Sequence, residues 1–96
     1  MASAIVDRFP NIERVRFTNS GTEANLMAVS AARAFTQRAS VMVMSGGYHG
    51  SVFYFAPGGS PLNAPFPYLM GTYNDTDKCR DLIRENGADL AGIIVE

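Results

Sequence analysis

Arg16-Phe17-Thr18-Asn19-Ser20-Gly21-Thr22-Glu23-Ala24-Asn25 is the stretch on which the rest of the chain turns. It reads as the end of a β-strand, a tight polar turn and the first turn of a helix. Val15 and Phe17 alternate with Arg16 and Thr18, the two-residue period of a strand. From Ala24 onward the apolar positions Ala24, Met27, Ala28, Ala31, Ala32 and Phe35 fall on one helical face. Asn19-Ser20-Gly21-Thr22 lies between the two without a bulky side chain. A helix start leaves amide N–H groups without partners and sets the positive end of the helix dipole behind them. Small residues let an anion reach those amides, and two hydroxyls add donors, so the turn has the makings of a phosphate cradle. The same residues fit a second reading. Ser20-Gly21-Thr22-Glu23 has the S-x-x-E spacing of a capping box, in which Ser20 and Glu23 satisfy each other's free donors.

Outward from this stretch the chain alternates element types. Ala2 to Phe9 looks like a short helix ended by Pro10, Ile12 to Thr18 a first strand, and Gly21 to about Gln37 a first long helix. Val41-Met42-Val43-Met44 is a continuous apolar run, as in a strand covered on both faces of a parallel sheet. It ends in a second glycine-rich turn, Ser45-Gly46-Gly47-Tyr48-His49-Gly50. Ser51 to Pro67 is irregular and aromatic, a composition that points to a site or an interface. Tyr68 to Tyr73 reads as a third strand. A helix follows, capped by Asp75 or Thr76, with Cys79, Leu82 and Ile83 inward and a stop at Asn86-Gly87. Leu90 to Glu96 is a fourth strand. This order predicts an α/β fold with a mostly parallel sheet and flanking helices. In such sheets ligands bind beyond the carboxyl ends of the strands. Ser20 to Thr22, Gly46 to Gly50, Asn74 and Glu96 all fall there, and are expected to form one site.

Bulk properties narrow the class. With 96 residues, 47% hydrophobic and 18% charged, the chain is at most one small globular domain. A net charge of −1 gives no electrostatic case for nucleic acid or an anionic membrane. The first residues lack a secretion signal, and no apolar run reaches membrane-spanning length. One cysteine, Cys79, excludes an internal disulfide and suits a reducing, cytoplasmic location. A single Cys and a single His do not make a structural zinc site. Neither the P-loop nor the dinucleotide fingerprint is present.

A ligand suited to these parts has a phosphate for the first turn and a flat ring for the face of Tyr48. Pyridoxal 5'-phosphate has both. The S-G-T-E-A-N run of Ser20 to Asn25, Ala31-Ala32-Arg33-Ala34-Phe35-Thr36, Gly47-Tyr48-His49-Gly50, Tyr73-Asn74-Asp75 and Gly92-Ile93-Ile94-Val95-Glu96 together resemble the class III aminotransferases. Within them they are most similar to the glutamate-1-semialdehyde aminomutase-like branch. The resemblance implies part of the large domain of a fold-type-I, pyridoxal-phosphate-dependent aminotransferase or aminomutase. It implies a homodimer that acts on an amino donor and an acceptor. It also implies that the Gly21 and Thr22 amides and the Ser20 hydroxyl hold the cofactor phosphate, that Tyr48 stacks on the ring, and that Glu96 stands near the cofactor. His49 follows the stacking aromatic. Beside a glycine-rich turn a histidine serves local hydrogen bonding as readily as catalysis.

Aminotransfer also needs a lysine that holds the cofactor covalently and moves the proton, and an acid for the pyridine nitrogen. The single lysine, Lys78, sits between Asp77 and Asp81 on the polar side of the second long helix and reads as a solvated surface residue. No catalytic residue is therefore assigned. The chain is expected to be an internal fragment carrying half a cofactor site, residues 1–96 being one partial domain that folds poorly alone. Three charge-assisted bonds at about 1.5–3 kcal/mol each, with the helix terminus, give roughly 6–10 kcal/mol gross. Ordering the ligand removes several, so binding without the covalent link is expected near millimolar. Two other readings stay open, a phosphosugar-binding α/β domain and a non-catalytic binding remnant of the same fold.

Overall fold

The computed structural model describes residues 1–96. Helix α1 spans Ala2–Arg8 and α2 Gly21–Thr36; strand β1 spans Ser40–Met44 and β2 Tyr68–Gly71; α3 spans Thr76–Asn86 and β3 Leu90–Ile93. The three strands form one sheet in the order β2-β1-β3, both pairings parallel. Val41 to Met44 pair with Tyr68 to Gly71, and Val41 and Met42 with Gly92 and Ile93 after a register shift at Ser40. The α/β fold with a parallel sheet is thus as expected. No helix is long and apolar enough to cross a membrane.

Central position explains why β1 is so apolar. All five of its residues are buried, because helix or loop covers both faces and a strand lies on each side. Val41 and Val43 join Val29 of α2 with Phe53 and Phe55 in one cluster. On the opposite face Met42 and Met44 meet Cys79 of α3 across Gly71, where an added Cβ would stand 2.9 Å from both methionine side chains and 3.2 Å from the Cys79 sulfur.

The Ser51–Pro67 loop does more than border a site. Phe53 and Phe55 are completely or almost completely buried and supply the aromatic half of the core, while Tyr54 between them points outward. Paired hydrogen bonds pin the 46–55 turn to itself: Gly46 N to Phe55 O at 2.7 Å, Phe55 N to Gly47 O at 2.9 Å, and His49 N to Phe53 O at 2.8 Å.

Two expectations are corrected. Ile12 to Thr18 is not a strand; it carries no ladder pairing and lies outside the three-stranded sheet. Alternation is only a pattern, and a strand exists where a partner accepts its hydrogen bonds. The buried face of α2 is also different. Val29 is its one buried residue, with Thr22, Asn25, Ala32, Arg33 and Thr36 half-buried in line with it. Ala24, Met27, Ala28, Ala31 and Phe35 are exposed, Phe35 at 91%. An alanine-rich helix is apolar on two sides, and the sheet covers one. Smaller differences concern ends: β2 stops at Gly71 rather than Tyr73 and β3 at Ile93 rather than Glu96, although Ile94 N still donates to Met42 O at 3.0 Å.

Candidate functional site: a cleft at the carboxyl edge of the sheet

The start of α2 is set by Ser20. Its side chain accepts from the Glu23 amide at 3.2 Å, and Glu23 Oε2 in turn accepts from the Asn19 amide at 2.8 Å and lies 3.4 Å from the Ser20 hydroxyl. The Ser20 half of the capping box is therefore formed, while Glu23 reaches one residue further back, to the Asn19 amide. This cap leaves the amides of Gly21 and Thr22 with no partner in the chain, at the positive end of a 16-residue helix. The position where Gly21 lacks a side chain has nothing within 4 Å, an open approach to those amides.

The second turn is drawn against this helix start. Gly50 has φ +122°, and a Cβ there would stand 2.5 Å from Thr22 Oγ1 and 2.7 Å from Thr22 Cα. Only glycine permits that approach. The Ser51 amide donates to Thr22 Oγ1 at 3.1 Å, and Asn25 Nδ2 donates to the His49 carbonyl at 2.7 Å. Tyr48 is 55% exposed. Its ring and that of Tyr54 form an edge-to-face pair, with centroids 5.4 Å apart at 68°, which braces Tyr48 while more than half of it stays exposed.

Gly21, Thr22, Asn25, Tyr48, His49, Gly50 and Glu96 line one open cleft of about 500 Å³. Five of the six residues singled out in the sequence, Gly21, Thr22, Tyr48, His49 and Glu96, thus converge. Ser20 does not line the cleft and sits behind it as the cap. Asn74, expected at the same site, instead borders a separate cleft with Met44, Tyr73, Thr76 and Cys79, because the β2–α3 turn leaves the sheet on the side of Met44 and α3. His49 is a mixed case. It lines the cleft, but its Nε2 is buried without a partner and stands, like the Tyr73 hydroxyl, close to where a Cβ on Gly47 would be. Asn25 was overlooked, although it ends the quoted stretch and stands three residues beyond Thr22, on the same helix face.

Glu96 is the single ionisable acid lining the cleft, and no arginine or lysine lines it. An anion there is met by amides, a hydroxyl and the helix dipole rather than by a cationic side chain. Lys78 is elsewhere, its Nζ donating to Thr72 Oγ1 at 2.9 Å.

The family model for class III aminotransferases matches residues 1–96. The chain belongs to the class III aminotransferases. A β-phenylalanine transaminase of Variovorax paradoxus is 50% identical over 96 residues, all of this chain and 22% of that protein. A glutamate-1-semialdehyde 2,1-aminomutase of Methanothermobacter thermautotrophicus is 41% identical over 108 residues, all of this chain and 26% of the relative. The crystal structure of the Variovorax paradoxus β-phenylalanine aminotransferase superposes with a TM-score of 0.91 over 98% of this chain and 22% of that one. A transaminase with PLP bound superposes with a TM-score of 0.78 at 30% identity, over 95% of this chain and 24% of that one. The chain spans about a quarter or less of the length of these class III relatives. Since the family match runs from residue 1 to 96, the helix start, the Tyr48 turn and Glu96 all lie within the class III similarity.

Proposed function

We propose that this chain is part of the large domain of a pyridoxal-phosphate-dependent aminotransferase or aminomutase, acting on an amino acid or amine, and that the cleft holds one side of the cofactor. The supporting observation is that Gly21 and Thr22, whose amides are unpartnered, and the exposed Tyr48 line the same cleft. The fit is chemical as well as spatial. Gly21 leaves room for a phosphate at the helix start, and a braced aromatic offers its face to a flat ring.

When bound, the cofactor supplies an aldehyde that accepts an amino group and a ring that withdraws electrons. The chain's own residues bind and orient. Gly21 and Thr22 donate to phosphate oxygens. Ser20 acts from behind the cleft: its side chain accepts from the Glu23 amide and so fixes the helix start whose Gly21 and Thr22 amides face the phosphate. Tyr48 holds the ring plane. His49 contributes its backbone to the turn, and Glu96 closes the far side with an acceptor. The Schiff-base lysine is supplied from outside these residues, and the working protein is a cytoplasmic homodimer.

Tyr48 is what favours this reading over a phosphosugar site, since an aromatic side chain matches a flat aromatic ring better than a puckered sugar. Titration with pyridoxal 5'-phosphate and with a sugar phosphate tests it. Pyridoxal phosphate is expected to bind more tightly, and Tyr48→Ala to lower that affinity about three- to tenfold without changing the affinity for inorganic phosphate. Tighter binding of the sugar phosphate, unaffected by Tyr48→Ala, overturns the proposal.

A further inference from the structure

We infer that Asn25 is a positioning residue that couples the phosphate-binding end of the cleft to its ring-stacking end. This rests on the cofactor reading above and goes beyond it, since Asn25 is assigned no contact with the cofactor.

Two hydrogen bonds join α2 to the turn that carries Tyr48: Ser51 N to Thr22 Oγ1, and Asn25 Nδ2 to His49 O at 2.7 Å. Thr22 is itself part of the phosphate cradle, so its bond cannot be separated from binding. Asn25 lies one helical turn further on, half-buried between the cleft and the core. A carbonyl oxygen only accepts, so the amide group facing His49 O must be Nδ2. That bond fixes the peptide after His49, and the His49 amide is fixed by Phe53 O at 2.8 Å. The backbone on both sides of His49 is thereby held, directly after Tyr48. Asn25 rises from the same rigid helix whose first amides form the cradle. The distance from cradle to aromatic face is therefore set through this side chain. A ligand bearing both phosphate and ring gains from a preset separation, because engaging one end presents the other at high effective concentration. A ligand bearing only one group gains nothing from it.

The test uses the cofactor-free form of the protein expressed from its native gene, with three probes: inorganic phosphate, pyridoxal without phosphate, and pyridoxal 5'-phosphate. Asn25→Leu keeps the branched shape and removes the donor; Asn25→Ala, which removes it without adding bulk, is the second variant. With thermal unfolding retained, both are expected to weaken pyridoxal 5'-phosphate binding about tenfold while affinity for each single-group probe changes less than about twofold. Equal retention of all three affinities overturns the inference and leaves the cofactor reading standing. A uniform loss across all three probes also overturns it, making Asn25 a fold-stabilising residue only. If the unmodified protein itself fails to prefer pyridoxal 5'-phosphate over both single-group probes, the cofactor reading and the inference fall together.

Discussion

Two regions flank α2, and they are built to different standards. On one side the 45–55 turn is closed by its own backbone bonds, seats Phe53 and Phe55 in the core, and presses Gly50 against Thr22. On the other side residues 9–18 run without ladder bonds beside the exposed Met27 and Ala31 face, with Phe17 about half exposed. Both stretches contain alternating apolar residues. The difference is that β1 offers the first region a wall to pack on, whereas the second runs beside the outer face of α2, away from either edge of the sheet. Local pattern becomes structure only where a complementary surface exists to bury it.

The contrast can be broken most directly at Phe53. Phe53→Ala empties the centre of the cluster and is expected to cost about 3–5 kcal/mol, against less than about 0.5 kcal/mol for Phe35→Ser on the exposed face. Chemical denaturation of the two variants checks this, and comparable losses would mean that the outer face of α2 is covered in the working protein. Gly50→Ala comes next. A Cβ set against the Thr22 backbone at a positive φ should displace the turn, cost about 1–3 kcal/mol and lower pyridoxal-phosphate affinity more than tenfold. A retained affinity would show that the two turns need not touch.

Glu23→Ala tests the cap. Losing one half of the reciprocal pair should destabilise α2 by about 0.5–1 kcal/mol, measurable as a small drop in midpoint temperature. The smallest expected effect concerns the base of the sheet, where the Ser40 hydroxyl and then the Ala39 amide hold the Asp89 carboxyl below its ordinary value. A depressed carboxylate stabilises the fold above its unfolded pKa and loses that contribution as pH falls through the folded one. The stability gap between the parent and Asp89→Asn should be constant from pH 7 to about 5 and close below about 4. A gap that widens on acidification would reverse the sign of the linkage.

Much of the site could be read before any coordinates. The S-x-x-E spacing marks the helix start, the V-M-V-M run marks the central strand, and the glycines around Tyr48 mark the turn, because caps, buried strands and tight turns each leave a local signature. The Ile12–Thr18 strand, the inward face of α2 and the place of Asn74 were misread for a shared reason. Each depends on which neighbour is present, and neighbours distant in sequence leave no periodicity. Asn25 was missed because its partner is a backbone carbonyl, which any residue at position 49 would provide.

Sequence alone determined the three helices and the three sheet strands that form, the free amides at Gly21 and Thr22, and the aromatic at Tyr48, all consequences of backbone preference and side-chain chemistry within a few residues. Only the tertiary structure decided that these parts share one cleft, which face of α2 meets the sheet, and that Asn25 ties helix to turn. Those outcomes follow from parallel pairing around β1, which brings residues about 25 to 50 positions apart into contact and is settled by packing rather than by local sequence.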